Sequence, residues 1–374
     1  MENNIYDPGR LRIEYMKKDH GKARADAIRS AIEQADLNND IENKVFFMVE
    51  LCDESEWYGS GFDIVTVFPE LLAVIDKYTY TNGSFSDEFP GMMENVLWTY
   101  EDMSDICTEF YQVPFNDCVN FLNDFKERWI EYGRKPREPY RMMVEFYREA
   151  GHMEEAKKAL SMLKTTPSGG YDCEGCTANT ELSYYLSANE KDKADRIAEK
   201  INDGTLSCGG WKSNTKPRMY KRYLKYYLMH GDYEKAAENA KLLENSRMDV
   251  IDYKLWASFM CAYVYNNTGR GLRIYKKHWK DIESEQRPEY MYYSFKDSAC
   301  FFMGLKKVKS EETIKLQLGN TFPLYSENNI YSIDRLAKYY YKKAEEVAKK
   351  FDKRNMTDKY TDELKISVQN ILSY

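Results

Sequence analysis

Apolar residues recur at three- and four-residue intervals along nearly the whole chain, the period of amphipathic helices. In REPYRMMVEFYREAGHMEEAKKALSMLK (137–164), Tyr140, Met143, Phe146 and Tyr147 mark one apolar face, Gly151 a turn, and Ala156, Leu160 and Leu163 a second face. Two helices and a tight turn make a helical hairpin. The pattern returns in TELSYYLSANEKDKADRIAEKI (180–201) and in MYKRYLKYYLMHGDYEKAAENAKLL (219–243). In all three, a turn residue precedes an alanine by five positions: Gly151 and Ala156, Asn189 and Ala194, Gly231 and Ala236. A further alanine follows at Ala159, Ala198 and Ala240. Fainter copies read the same way on both sides, from ADAIRSAIEQADLNND (25–40) to MYYSFKDSACFFMGLKK (291–307). IDRLAKYYYKKAEEVAKKFDKRNMTDKY (333–360) reads as a terminal helix that caps the last apolar face. The one β-branched run, FDIVTVF (62–68), leads into PELLAVIDKY, whose proline suits a helix start.

An aromatic residue on the first helix of each hairpin, with alanine where the second helix packs on it, resembles the tetratricopeptide repeat over about residues 136–245. The combination of DCEGC (172–176), DGTLSCGG (203–210) and FDKRNMT (351–357) is similar to a group of bacterial repeat proteins with a DCxxC loop, a likeness that implies the fold and no activity. The resemblance implies an all-α fold: a right-handed superhelical solenoid of hairpins with a C-terminal capping helix. One continuous array would hold divergent hairpins in 1–134, the best-defined ones in 135–245, and divergent hairpins plus the cap in 246–374. The first helix of each hairpin would line a concave face suited to an extended peptide or a partner's helix. On the central hairpins that face would include Tyr140, Glu145, Tyr184, Tyr220, Lys221, Arg222 and Lys225.

Repeat spacing singles out two loops. Ala156 to Ala194 is 38 residues and Ala194 to Ala236 is 42, against about 34 in the standard repeat. The extra residues fall between hairpins, in TTPSGGYDCEGC and NDGTLSCGGWKSNTKP, and consecutive inter-hairpin loops emerge side by side at one edge of a solenoid. Cys173, Cys176 and Cys208 are therefore expected to converge. Zinc takes thiolates tetrahedrally, and Cys-x-x-Cys brings two sulfurs inward across one turn. Asp172, beside the pair, is the local candidate for a fourth ligand; His152 and His230 fall at the other edge, and His20 and His278 are far away in sequence. Three readings stand at this point: one structural zinc, a redox pair at a helix N-terminus, and ordinary packed thiols. The remaining cysteines, Cys52, Cys107, Cys118, Cys261 and Cys300, lie singly in apolar surroundings and read as buried free thiols.

Charge narrows the partners. Lysine and arginine number 54 against 61 acidic residues, for a net charge of −7, with the two signs interleaved. That balance does not suit a phosphate-tracking surface, so no nucleic-acid partner is expected. The start of the chain shows no basic and apolar leader, and the most apolar window, LWASFMCAYVY (255–265), is about half of what a bilayer span needs. The expectation is a cytoplasmic protein with no membrane partner. No phosphate-binding loop, dinucleotide fingerprint, zinc-protease helix or nucleophile elbow occurs. The sequence therefore reads as a non-catalytic protein- or peptide-binding scaffold, not an enzyme. KPRMYKRYLKYY (216–227) is its most basic segment and suits an acidic partner. The alternatives are a peptide-responsive signalling regulator and an antitoxin or defence-associated partner protein.

Overall fold

The computed structural model describes residues 6–59, 61–169, 173–208, 215–246 and 255–374. The chain divides into two compact units, Met1–Met142 and Met143–Tyr374. The division falls inside a helix, within the span that the sequence groups as 135–245. Unit 1 holds α1 (Pro8–Met16), α2 (Lys22–Leu37), α3 (Ile41–Tyr58), α4 (Ile64–Asn82), α5 (Phe85–Glu88), α6 (Pro90–Glu109), α7 (Phe115–Glu131) and the start of α8 (Arg137–Ala150). Unit 2 holds the rest of α8, then α9 (Met153–Thr165), α10 (Glu174–Ser187), α11 (Lys191–Asn202), α12 (Thr215–Met229), α13 (Tyr233–Asn245), α14 (Trp256–Ala262), α15 (Thr268–Ser284), α16 (Pro288–Val308), α17 (Ile333–Asn355) and α18 (Lys359–Ser373). The fold is all-α and built from packed neighbouring helix pairs, such as α2 with α3, α10 with α11 and α12 with α13. No helix among the described residues is long and apolar enough to cross a membrane.

The hairpin turns repeat in atomic detail. Gly151, Asn189 and Gly231 all take left-handed backbone angles, with φ of 88°, 58° and 72°. In each turn the next N–H reaches back to the carbonyl five residues earlier: His152 to Tyr147, Glu190 to Tyr185 and Asp232 to Tyr227, at 2.8, 2.8 and 3.0 Å. This is the Schellman ending, and it favours glycine or asparagine at the left-handed position because a Cβ strains it. Five residues on, Ala156, Ala194 and Ala236 are fully buried, which lets the two helices of each hairpin pack closely. The five single cysteines are buried, as their apolar surroundings suggest.

Three expectations need correction. Residues 64–68 of FDIVTVF are helical, and Pro69 lies inside α4 rather than at its start. Ile64, Phe68, Leu71 and Ile75 fall four, three and four residues apart and are all buried, so helical spacing prevails over β-branching. Strand structure occurs instead at Thr313–Lys315 (β1) and Ile330–Ser332 (β2), an antiparallel pair with Ile314 opposite Tyr331. The C-terminal cap is two helices. After α17 packs along α16, the chain reverses at Met356, which has φ 57°, and α18 runs across the turn edge of unit 2. Thr357 Oγ1 donates to Ala150 O at 3.0 Å, Asn370 Nδ2 to Met229 O at 2.6 Å, and Tyr265 OH to Ile371 O at 2.5 Å.

Candidate metal centre

The centre forms where residues 203–208 meet the N-terminal ends of α10 and α12. Cys173 is the N-cap of α10, and its Sγ accepts from the Cys176 N–H at 3.4 Å, so the thiol does the work of a capping hydroxyl. The following loop is brought back by another left-handed turn at Gly204, φ 86°, with Leu206 N–H bonded to Lys200 O at 2.9 Å. It then lies directly on the first turn of α10. A Cβ at Gly175 would fall 2.9 Å from Cys208 N and from Ser207 C, and 2.8 Å from Thr215 Oγ1. Only a residue with no side chain permits that approach.

Polar bonds hold the arrangement. Cys208 N–H donates to Thr215 Oγ1 at 3.1 Å, and buried Asn179 donates through Nδ2 to Gly175 O and Thr215 O at 3.2 and 3.1 Å. Arg218 Nη1 donates to Cys176 Sγ at 3.7 Å. As a result the sulfurs of Cys173, Cys176 and Cys208 all lie within 4.8 Å of one another, each half-buried. Two sulfurs of a tetrahedral zinc thiolate site are about 3.8 Å apart. The three thiols therefore need little movement to hold a metal ion. Burial and a hydrogen bond with Cys208 push the Cys173 thiol up to about 12, so an incoming metal must displace its proton. Asp172, the expected fourth ligand, lies outside the described residues.

The residues expected on the binding face separate. Glu145, Arg222, Lys221 and Lys225 converge on one face of unit 2. Glu145 accepts from Arg222 Nη2 and Thr180 Oγ1 at 2.8 Å each and from Arg148 Nη2 at 2.5 Å. Arg222 also donates to Ser183 Oγ. Glu149 accepts from Lys359 Nζ at 2.7 Å, and Arg148 pairs with it at 2.8 Å. Lys225 and Lys221 lie over the rings of Tyr293 and Tyr290, 3.7 and 5.6 Å from the centroids. Burial alone would raise the Glu145 carboxyl, but Arg222 and Arg148 outweigh it and hold the group at about 2.

Tyr220 points away from this face and lines a shallow hollow with Asp195, Tyr223 and Tyr227. Tyr184 is buried edge-on to Tyr185. Tyr140 is half-buried and precedes the unit boundary in α8. Sequence reading missed Arg148, Thr180, Ser183, Lys359 and Arg218. A usable signal was present for two of them: Arg148 follows Glu145 by three residues and Arg218 precedes Arg222 by four, so each shares a helix face with a residue already singled out. No family model matches the chain, and no curated protein matches it.

Proposed function

We propose that the chain is a non-catalytic protein- or peptide-binding scaffold of the tetratricopeptide type, in which one structural zinc ion at Cys173, Cys176 and Cys208 pins the two inserted loops. The convergence of three thiols from two separate segments within 4.8 Å carries the metal part of the reading. The ion would crosslink the largely exposed 203–208 segment to the first turn of α10, the usual role of structural zinc. The binding part is supported by the cationic row on α12, with Lys221 over Tyr290, Lys225 over Tyr293, and Arg222 between them in sequence, bonded to Glu145. An acidic protein or peptide is the partner that this row suits.

Protein purified without chelator or affinity tag should carry about one zinc per chain by elemental analysis. Cys176→Ser should lose the metal and melt several degrees lower. Absence of metal, with melting unchanged in the variant, would remove the metal reading. For the binding face, Lys221→Glu combined with Lys225→Glu should abolish recovery of a partner that wild-type protein retains from its source cells. Metal content should stay the same. Equal recovery by both proteins would place the binding surface elsewhere.

A further inference from the structure

Arg218 is unusually placed for a cation. It lies close to the N-terminal end of α12, the end of a helix where the dipole disfavours positive charge. Four residues on, Arg222 already has Glu145 and Ser183 as acceptors. Burial lowers the Arg222 pKa, and repulsion from Arg148 and Arg218 lowers it further. Among the described residues, the one hydrogen-bond acceptor of Arg218 is Cys176 Sγ. A neutral thiol is a weak acceptor, and it offers an arginine little in return for a position among like charges.

Metal loading changes that balance. A divalent ion bound by three thiolates leaves one net negative charge, spread over the sulfurs. An N–H···S bond from a guanidinium to such a sulfur is charge-assisted and leaves the sulfur free to bind the metal. It also fixes the direction of the ligand, as outer partners of metal sites commonly do.

We propose that Arg218 is the charge-balancing and positioning residue of the metal centre, holding Cys176 in its ligand orientation and neutralising the anionic tri-thiolate. This role rests on the metal reading above. It ties the centre to the binding face, because Arg218 and Arg222 lie one turn apart on α12.

The test compares wild type, Arg218→Gln and Arg218→Lys. Cobalt(II) titration reports the sulfur-to-metal absorption band, and zinc affinity comes from competition with a chromophoric chelator. Arg218→Gln should bind zinc about tenfold or more weakly and shift the cobalt band, while Arg218→Lys recovers most of the affinity. The metal-free melting temperatures of all three should agree. An unchanged affinity and band in Arg218→Gln would overturn the role while leaving the centre intact. So would a loss that lysine does not restore and that accompanies an equal fall in metal-free melting, since that marks a packing effect. A wild-type protein that takes up neither metal would overturn the centre itself, and this role with it.

Discussion

Glu145→Ala should destabilise the protein by about 3–5 kcal/mol, the range for removing one partner of a buried ion pair. Its carboxylate is shared between Arg148 and Arg222, which reach it from α8 itself and from α12, and Thr180 adds a bond from α10. Without it, Arg222 loses its ion-pair partner beside Arg148, which keeps Glu149, and beside the positive charge of Arg218. Thr180 and Ser183 can solvate part of that charge but cannot neutralise it. At neutral pH the melting temperature should fall by roughly 6–20 °C. The pH dependence identifies the cause. The folded-state value of about 2 lies below the ordinary 4.5, so the contribution is fully present above 4.5 and is lost as pH falls from there towards 2. Wild type should therefore approach the variant across that window. Glu145→Gln keeps the shape and removes the charge, and it should behave more like alanine than like wild type. Equal melting of wild type and Glu145→Ala at pH 7 would show that the arginines find other anions.

What could be read from the sequence depended on how many residues each feature involves. The hairpin turns were legible because one residue decides each: a left-handed position wants glycine or asparagine, and the buried crossing wants alanine, so Gly151 with Ala156 is a pattern visible along one line of text. The meeting of Cys173, Cys176 and Cys208 was legible for a different reason. It follows from the order of the hairpins, since successive loops at one edge must be neighbours. The ionic knot around Glu145 depends on how α8, α10 and α12 rotate against one another, and no local pattern fixes that. Tyr184 and Tyr220 stand apart from Glu145 and Arg222 for the same reason, since a rotation of one residue position turns a side chain by about 100°. The course of α18 was hidden more deeply. The reversal that sends it across the turns occurs at Met356, a residue with no preference for the left-handed conformation, and it is supported by Asp352, whose carboxylate accepts from Tyr360 N and Thr361 N at 2.8 and 2.9 Å.

Gly175→Ala sets two effects against each other, and magnitudes decide between them. Alanine is the better helix former by about 1 kcal/mol, so on propensity alone the change should stabilise α10. The added Cβ would fall 2.9 Å from backbone atoms of Ser207 and Cys208, and main chain cannot swing aside as a side-chain tip can. Overpacking of that kind typically costs about 1–3 kcal/mol, which exceeds the propensity gain. The strain is relieved most directly by lifting the 205–208 loop off α10, and that movement carries the Cys208 sulfur away from the other two. Gly175→Ala should therefore melt lower than wild type and bind zinc at least tenfold more weakly, although every cysteine is retained. Gly91 is also helical, and a Cβ there meets nothing within 4 Å, so Gly91→Ala should leave both quantities unchanged or slightly raise stability. Weakened zinc binding with all three ligands present would mean that the affinity of the centre is set by how closely the second loop is pressed onto the first turn of α10. Wild-type zinc binding in Gly175→Ala would mean instead that the cysteines find the metal from a mobile loop and that the close approach at Gly175 serves packing alone.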